Sequence, residues 1–116
     1  MKYIYSHQNP ANCDFVEITP VEELPPGERL IVQVEEFDIL LFNIAGEFFA
    51  IGNVCSHDGN PLDDGELRGL EIICPRHGAR FDVRSGEVTS LPATIEIPAY
   101  LVRVVDGNIE IGLPKR

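Results

Sequence analysis

Apolar and polar positions along this chain group into short runs, and turn-forming residues interrupt each run before a helical period can develop. Cys13 to Ile18 alternates weakly. Arg29 to Val34, Ile39 to Ile44 and Glu47 to Ile51 are rich in β-branched and aromatic residues and read as strands, with Ala45-Gly46 turning the last two into a hairpin. Leu70 to Ile73, Phe81 to Val83, Ile95 to Ile97, Leu101 to Val105 and Asn108 to Ile111 complete the set, and Asp106-Gly107 is a second hairpin turn. Thr19-Pro20-Val21-Glu22 combines a capping-box pattern with proline at the first helical position, which predicts one helical turn before Pro25-Pro26-Gly27 ends it. Many short strands with frequent turns predict an all-β fold, a small antiparallel β-sandwich or barrel.

Size and charge narrow the picture. With 116 residues the chain is expected to form one domain, since domains cluster around roughly 100–150 residues. Its N-terminal stretch lacks an apolar core of the signal-peptide kind, and no apolar run approaches the roughly 18 residues of a membrane span. The formal net charge is −10 and the pI is near 4.5. Such a field repels nucleic acid and anionic membranes and favours basic partners. The charge is uneven, because four of the nine basic residues (Arg68, Arg76, Arg80 and Arg84) fall in one short stretch.

That stretch also carries the chemistry. Cys55-Ser56-His57 and Cys74-Pro75-Arg76-His77 are two thiol–imidazole pairs with 16 residues between them. Each pair is close enough for one loop to present both groups to metal. Two thiolates and two imidazoles suit either a tetrahedral zinc ion or a [2Fe–2S] cluster in which two histidines replace two cysteines on one iron. The surroundings favour the cluster: Asp58-Gly59-Asn60-Pro61 and Gly78-Ala79 form loops whose free backbone amides can donate to sulfur. Asp63, Asp64 and Glu66 near Gly65 lack the alternation of an EF-hand and read as a polar turn. His7 lies outside any ligand pattern. Cys13 has no cysteine partner left, which suggests a reducing compartment and a cytoplasmic location.

Cys-x-His, a 16-residue gap and Cys-Pro-x-His-Gly resemble the Rieske iron–sulfur domain, and Cys74 to Gly86 (CPRHGARFDVRSG) resembles the bacterial Rieske-type ferredoxins that serve oxygenases. The likeness runs from about residue 12 to 113. It implies a single Rieske domain over residues 1–116, a β-sandwich or barrel with an inserted cluster-binding subdomain of two loops at about 53–92. It further implies that Cys55 and Cys74 bind the inner iron and His57 and His77 the outer one. Leu91-Pro92-Ala93 resembles the proline loop that covers the cluster. High-potential relatives carry a serine and a tyrosine where Ala79 and Phe81 stand, so a low potential is expected. Arg76, between two ligands, reads as a docking contact, as a local positive charge that favours the reduced cluster, or as a solvated arginine on a loop tip.

By the same resemblance the chain is a one-electron carrier rather than an enzyme. A flavin-dependent NAD(P)H reductase would be its donor and a terminal oxygenase its acceptor. A terminal oxygenase itself needs a further iron site and far more chain. Two alternatives stand beside this reading. One is the small subunit of an assimilatory nitrite reductase, which shares size and fold. The other is a structural zinc-binding interaction module, which leaves the glycine-rich loops and the Leu91-Pro92-Ala93 segment without a purpose.

Overall fold

In the computed structural model the described residues are 9–91, 93 and 95–115, and His7, Pro92 and Thr94 therefore lie outside them. Ten strands fill most of this span: β1 Cys13–Pro20, β2 Arg29–Val34, β3 Phe37–Ile44, β4 Glu47–Gly52, β5 Glu66–Arg68, β6 Glu71–Ile73, β7 Arg80–Asp82, β8 Val88–Ser90, β9 Ala99–Val105 and β10 Asn108–Pro114. They form two antiparallel sheets, one in the order β1-β10-β9-β4-β3-β2 and one in the order β5-β6-β7-β8.

The β3 run Ile39-Leu40-Leu41-Phe42 explains how the sheets are stacked. All four residues are buried, although an antiparallel strand with one wet face would alternate. Period-two geometry sends Ile39 and Leu41 into one core with Leu24, Ala50, Tyr100, Ile109 and Ile111. Leu40 and Phe42 point the other way, into a second core with Ile51, Leu62, Ile72, Phe81 and Ile97. The ladders obey the same split: Leu41 lies opposite Ala50, Leu40 opposite Ile51, and Ile51 in turn opposite Ala99. One core therefore belongs to the large sheet alone, and the other is shared with the small sheet. Cys55 and Cys74 belong to the shared core.

The all-β expectation holds, with local corrections. Thr19 and Pro20 do not open a capped helix. They continue β1, pairing with Ile109 and Asn108, and Val21–Glu23 is a 3-10 turn with no side-chain cap. Ile95 to Ile97 is not a strand. Pro98 has no N–H to give a ladder, so this connector holds the two sheets by single bonds instead: Ile97 N–H donates to Gly86 O at 2.9 Å, and Gly52 N–H donates to Pro98 O at 2.8 Å. Strands β5 and β8 were not expected from the sequence, and Glu66, read as part of a polar turn, opens β5 opposite Ile73. No helix among the described residues is long and apolar enough to cross a membrane.

Candidate metal centre

The two Cys/His segments fold into near-copies of one another. In the first, Cys55 N–H donates to Asn60 O at 2.7 Å and Gly59 N–H donates to Cys55 O at 2.7 Å. In the second, which tips the β6–β7 hairpin, Cys74 N–H donates to Ala79 O at 2.8 Å and Gly78 N–H donates to Cys74 O at 3.0 Å. Both loops thus close five residues after the cysteine, and both need a residue of positive φ at the fourth, where Gly59 and Gly78 each have φ 76°. The glycines flanking each motif are there because the chain must turn left-handed to bring the loop back.

This shared geometry buries the thiols and exposes the imidazoles. Cys55 is 0% and Cys74 1% exposed, packed among Leu62, Ala79, Phe81 and Ala93. The His77 side chain is 53% exposed, and its ring meets that of His57 edge to face with centroids 5.0 Å apart. Burial pushes the Cys55 thiol up, while the backbone amides of His57 and Asp58 donate to its sulfur and oppose that shift. The same amides stabilise a thiolate once a metal has displaced the proton.

The sequence-predicted ligands are therefore brought together as two pairs rather than as one tetrahedron. Donor atoms of Cys55, Cys74 and Asp58 lie within 4.8 Å of one another, and neither imidazole joins that group. A single zinc ion with bonds of about 2.0–2.3 Å needs all four donors about 4 Å apart. Thiols grouped inside and imidazoles grouped outside suit a two-metal group whose ends differ in ligand type. The donor set fits a Rieske cluster and fits a mononuclear zinc site poorly.

Three further residues hold the first loop and were not singled out as site residues from sequence. Asn53, only 6% exposed, accepts the Leu62 N–H at 2.8 Å through Oδ1 and donates to Asp63 Oδ1 at 3.1 Å, so its amide clips the two ends of the loop together. Arg29, on β2, donates from Nη1 to Asp63 O at 3.0 Å and Gly65 O at 2.7 Å, tying the large sheet to the segment that leaves the loop. Asp58 accepts the Arg76 Nε–H at 2.9 Å and stands 3.9 Å from His77 Nε2. The Asn60 amide first, and then the Arg76 guanidinium, hold the Asp58 carboxyl well below the usual carboxylate range. Asn53→Ala leaves the buried Leu62 N–H without its acceptor and is expected to cost about 1–3 kcal/mol, read as a lower denaturant midpoint at unchanged slope. An unchanged midpoint would show that water replaces the amide.

Each arginine of the basic stretch is paired. Arg68 meets Glu66 at 2.8 Å, Arg76 meets Asp58 at 2.9 Å, Arg80 approaches Glu71 at 3.6 Å, and Arg84 meets Asp82 at 2.7 Å. The stretch is thus close to neutral, not a free positive patch. On the third side of the site, Ser56 Oγ donates to Ile95 O at 2.5 Å and Ala93 is buried beside the thiols. The segment expected to cover the site does pack there through Ala93, while Leu91 stays exposed.

A family model for the Rieske [2Fe-2S] domain matches residues 14–101. The 3-phenylpropionate/cinnamic acid dioxygenase ferredoxin subunit of Escherichia coli strain K12 is 39% identical over 97 residues, covering 83% of this chain and 91% of that one. Among solved structures, the ferredoxin of carbazole 1,9a-dioxygenase from Nocardioides aromaticivorans IC177 superposes with a TM-score of 0.77 at 37% identity, over 87% of this chain and 98% of the other. A complex of reduced oxygenase and oxidized ferredoxin in carbazole 1,9a-dioxygenase contains a chain that matches with a TM-score of 0.77 at 26% identity, over 88% of this chain and 95% of that one.

Proposed function

The chain belongs to the Rieske [2Fe-2S] domain family, and from that premise we propose that it is a one-electron carrier of a multicomponent oxygenase system, not an enzyme in its own right. Residues 1–116 are read as one Rieske domain with its cluster-binding part at about 53–92. Cys55, His57, Cys74 and His77 are the ligands of one [2Fe–2S] cluster. The observation that carries this reading is the split donor set, with buried thiols and exposed imidazoles on two loops of one design.

When bound, the cluster supplies a reversible one-electron acceptor with every coordination position filled by protein. The chain's own residues do the rest. Leu62, Ala79 and Phe81 keep water from the thiol end. His57 and His77 bring the other end of the site to the surface, where a docked protein can approach it. A flavin-dependent NAD(P)H reductase is the proposed donor and a terminal oxygenase the proposed acceptor, in line with the ferredoxin relatives and the oxygenase–ferredoxin complex. Among the described residues no two cysteines form a disulfide, in keeping with a cytoplasmic location. Two irons and two acid-labile sulfides per chain, with a spin-½ EPR signal on reduction, are the expected results. Stoichiometric zinc without labile sulfide would refute the reading.

The site also sets an expectation for the potential. Ala79 and Phe81 are fully buried in the core that holds both cysteines, and neither carries a hydroxyl to donate to sulfur. Fewer such hydrogen bonds leave the reduced, more negative state less stabilised. The midpoint potential is expected at the low end of the Rieske range, near roughly −150 mV rather than +300 mV. Ala79→Ser combined with Phe81→Tyr should raise it. Protein-film voltammetry checks both statements, and a wild-type value well above zero contradicts the first.

A further inference from the structure

Counted from their cysteines, the two loops place different residues at equivalent positions. The second and third residues after Cys55 are His57 and Asp58; those after Cys74 are Arg76 and His77. Because the loops close with the same hydrogen bonds and face one another, the second position of each meets the third position of the other. One of these crossed pairs is His57 with His77, at 5.0 Å between ring centroids. The other is Arg76 with Asp58, at 2.9 Å. The ion pair is thus the counterpart of the imidazole pair across the approximate twofold that relates the loops.

Its details go beyond a surface ion pair. The Asp58 side chain, 15% exposed, is the sheltered partner, and the Arg76 guanidinium covers it from the surface. Arg76 makes a second bond across the gap, donating from Nη2 to Pro61 O at 2.6 Å. One side chain of the second loop therefore grips the first loop on both sides of its closing residue, Asn60. The Asp58 carboxylate also lies within 4.8 Å of both thiols, where its charge opposes the arrival of an electron unless it is neutralised.

We propose that Asp58 and Arg76 are positioning residues, a clasp that locks the two ligand loops together and keeps the carboxylate beside the thiols electrically balanced. The inference rests on the cluster-carrying reading given above. Without Arg76, the loops are joined at their tips by the imidazole pair alone among the contacts just described, and the carboxylate charge is uncompensated. Without Asp58, the guanidinium loses the carboxylate bonded to it and adds positive charge beside the same thiols.

The two losses open the same clasp but unbalance the charge in opposite directions, and this separates the proposal from a plain folding role. The holoprotein is compared with Arg76→Gln, Asp58→Asn and the double variant, by the rate at which visible absorption is lost in excess EDTA and by the midpoint potential. Each single variant should lose iron roughly fivefold faster, the rate equivalent of one well-placed ion pair. The potential should fall in Arg76→Gln, rise in Asp58→Asn and return near the wild-type value in the double variant. Unchanged release rates, or potentials that move in the same direction in both single variants, overturn the clasp. Wild-type protein that carries no labile sulfide overturns both the clasp and the reading on which it rests, whereas a full wild-type cluster with unaltered variants overturns the clasp alone.

Discussion

Cys55→Ser and Cys74→Ser proteins are expected to emerge colourless, with iron and labile sulfide reduced to near zero. Both thiols are buried, at 0% and 1% exposure, at the closed end of the site, and among the described residues no other sulfur lies in their core. A serine hydroxyl is a harder donor that stays protonated near neutral pH, so it cannot supply the soft anionic ligand the irons require. Because binding free energy adds to folding free energy, the apo variants should unfold at a lower temperature than the wild-type holoprotein. Cys13→Ser is the control. Its thiol sits at the start of β1 and belongs to neither core cluster around the site, so this variant should keep the full complement. Inductively coupled plasma analysis with a labile-sulfide assay decides the matter, and a full cluster in either ligand variant would remove that cysteine from the set.

The ligand loops were legible in the chain because each is a local object. Cys55 and His57, or Cys74 and His77, lie within three residues of each other, and the glycine that closes each loop is four residues from its cysteine. What crosses between elements was not. Arg76 reads as a charge on a loop tip until the loops are set face to face, and only then does Asp58 become its partner. Arg29 is separated by 34 and 36 residues from the carbonyls it holds, and nothing in its own neighbourhood points towards them. The four-arginine stretch shows that charge is uneven along the chain but not which acids it meets: its partners come from a hairpin mate, the other ligand loop or a residue two places along.

The strands show the same limit of range. Ile39-Leu40-Leu41-Phe42 reads as strand from composition, but a continuous apolar run does not say that two cores meet across it. Strands β5 and β8 have three residues each, too few for a period of two to register, and they exist because β6 and β7 offer them ladder partners. Ile95 to Ile97 has β-branched composition but runs into Pro98, and the connector settles for one backbone–backbone bond to each side.

One of those bonds explains the second large effect. Gly86→Ala is expected to destabilise the protein by about 3–5 kcal/mol, from three contributions. Gly86 has φ 78°, a conformation that costs an L-residue roughly 1–2 kcal/mol. A Cβ there would overlap the carbonyl oxygen of Ile97 and stand 3.0 Å from its carbonyl carbon, so one backbone must retreat. Retreat breaks the Ile97 N–H bond to Gly86 O, worth about 1 kcal/mol, and loosens buried Ile97 in the core that holds both thiols. Gly46→Ala separates these contributions. Its φ is 93°, but no atom lies within 4 Å of the new Cβ, so it should suffer only the conformational cost. Denaturant unfolding of the two apo variants measures the difference directly. Equal losses would mean that Ile97 gives way freely and that the contact at Gly86 does not fasten the small sheet to the connector before β9.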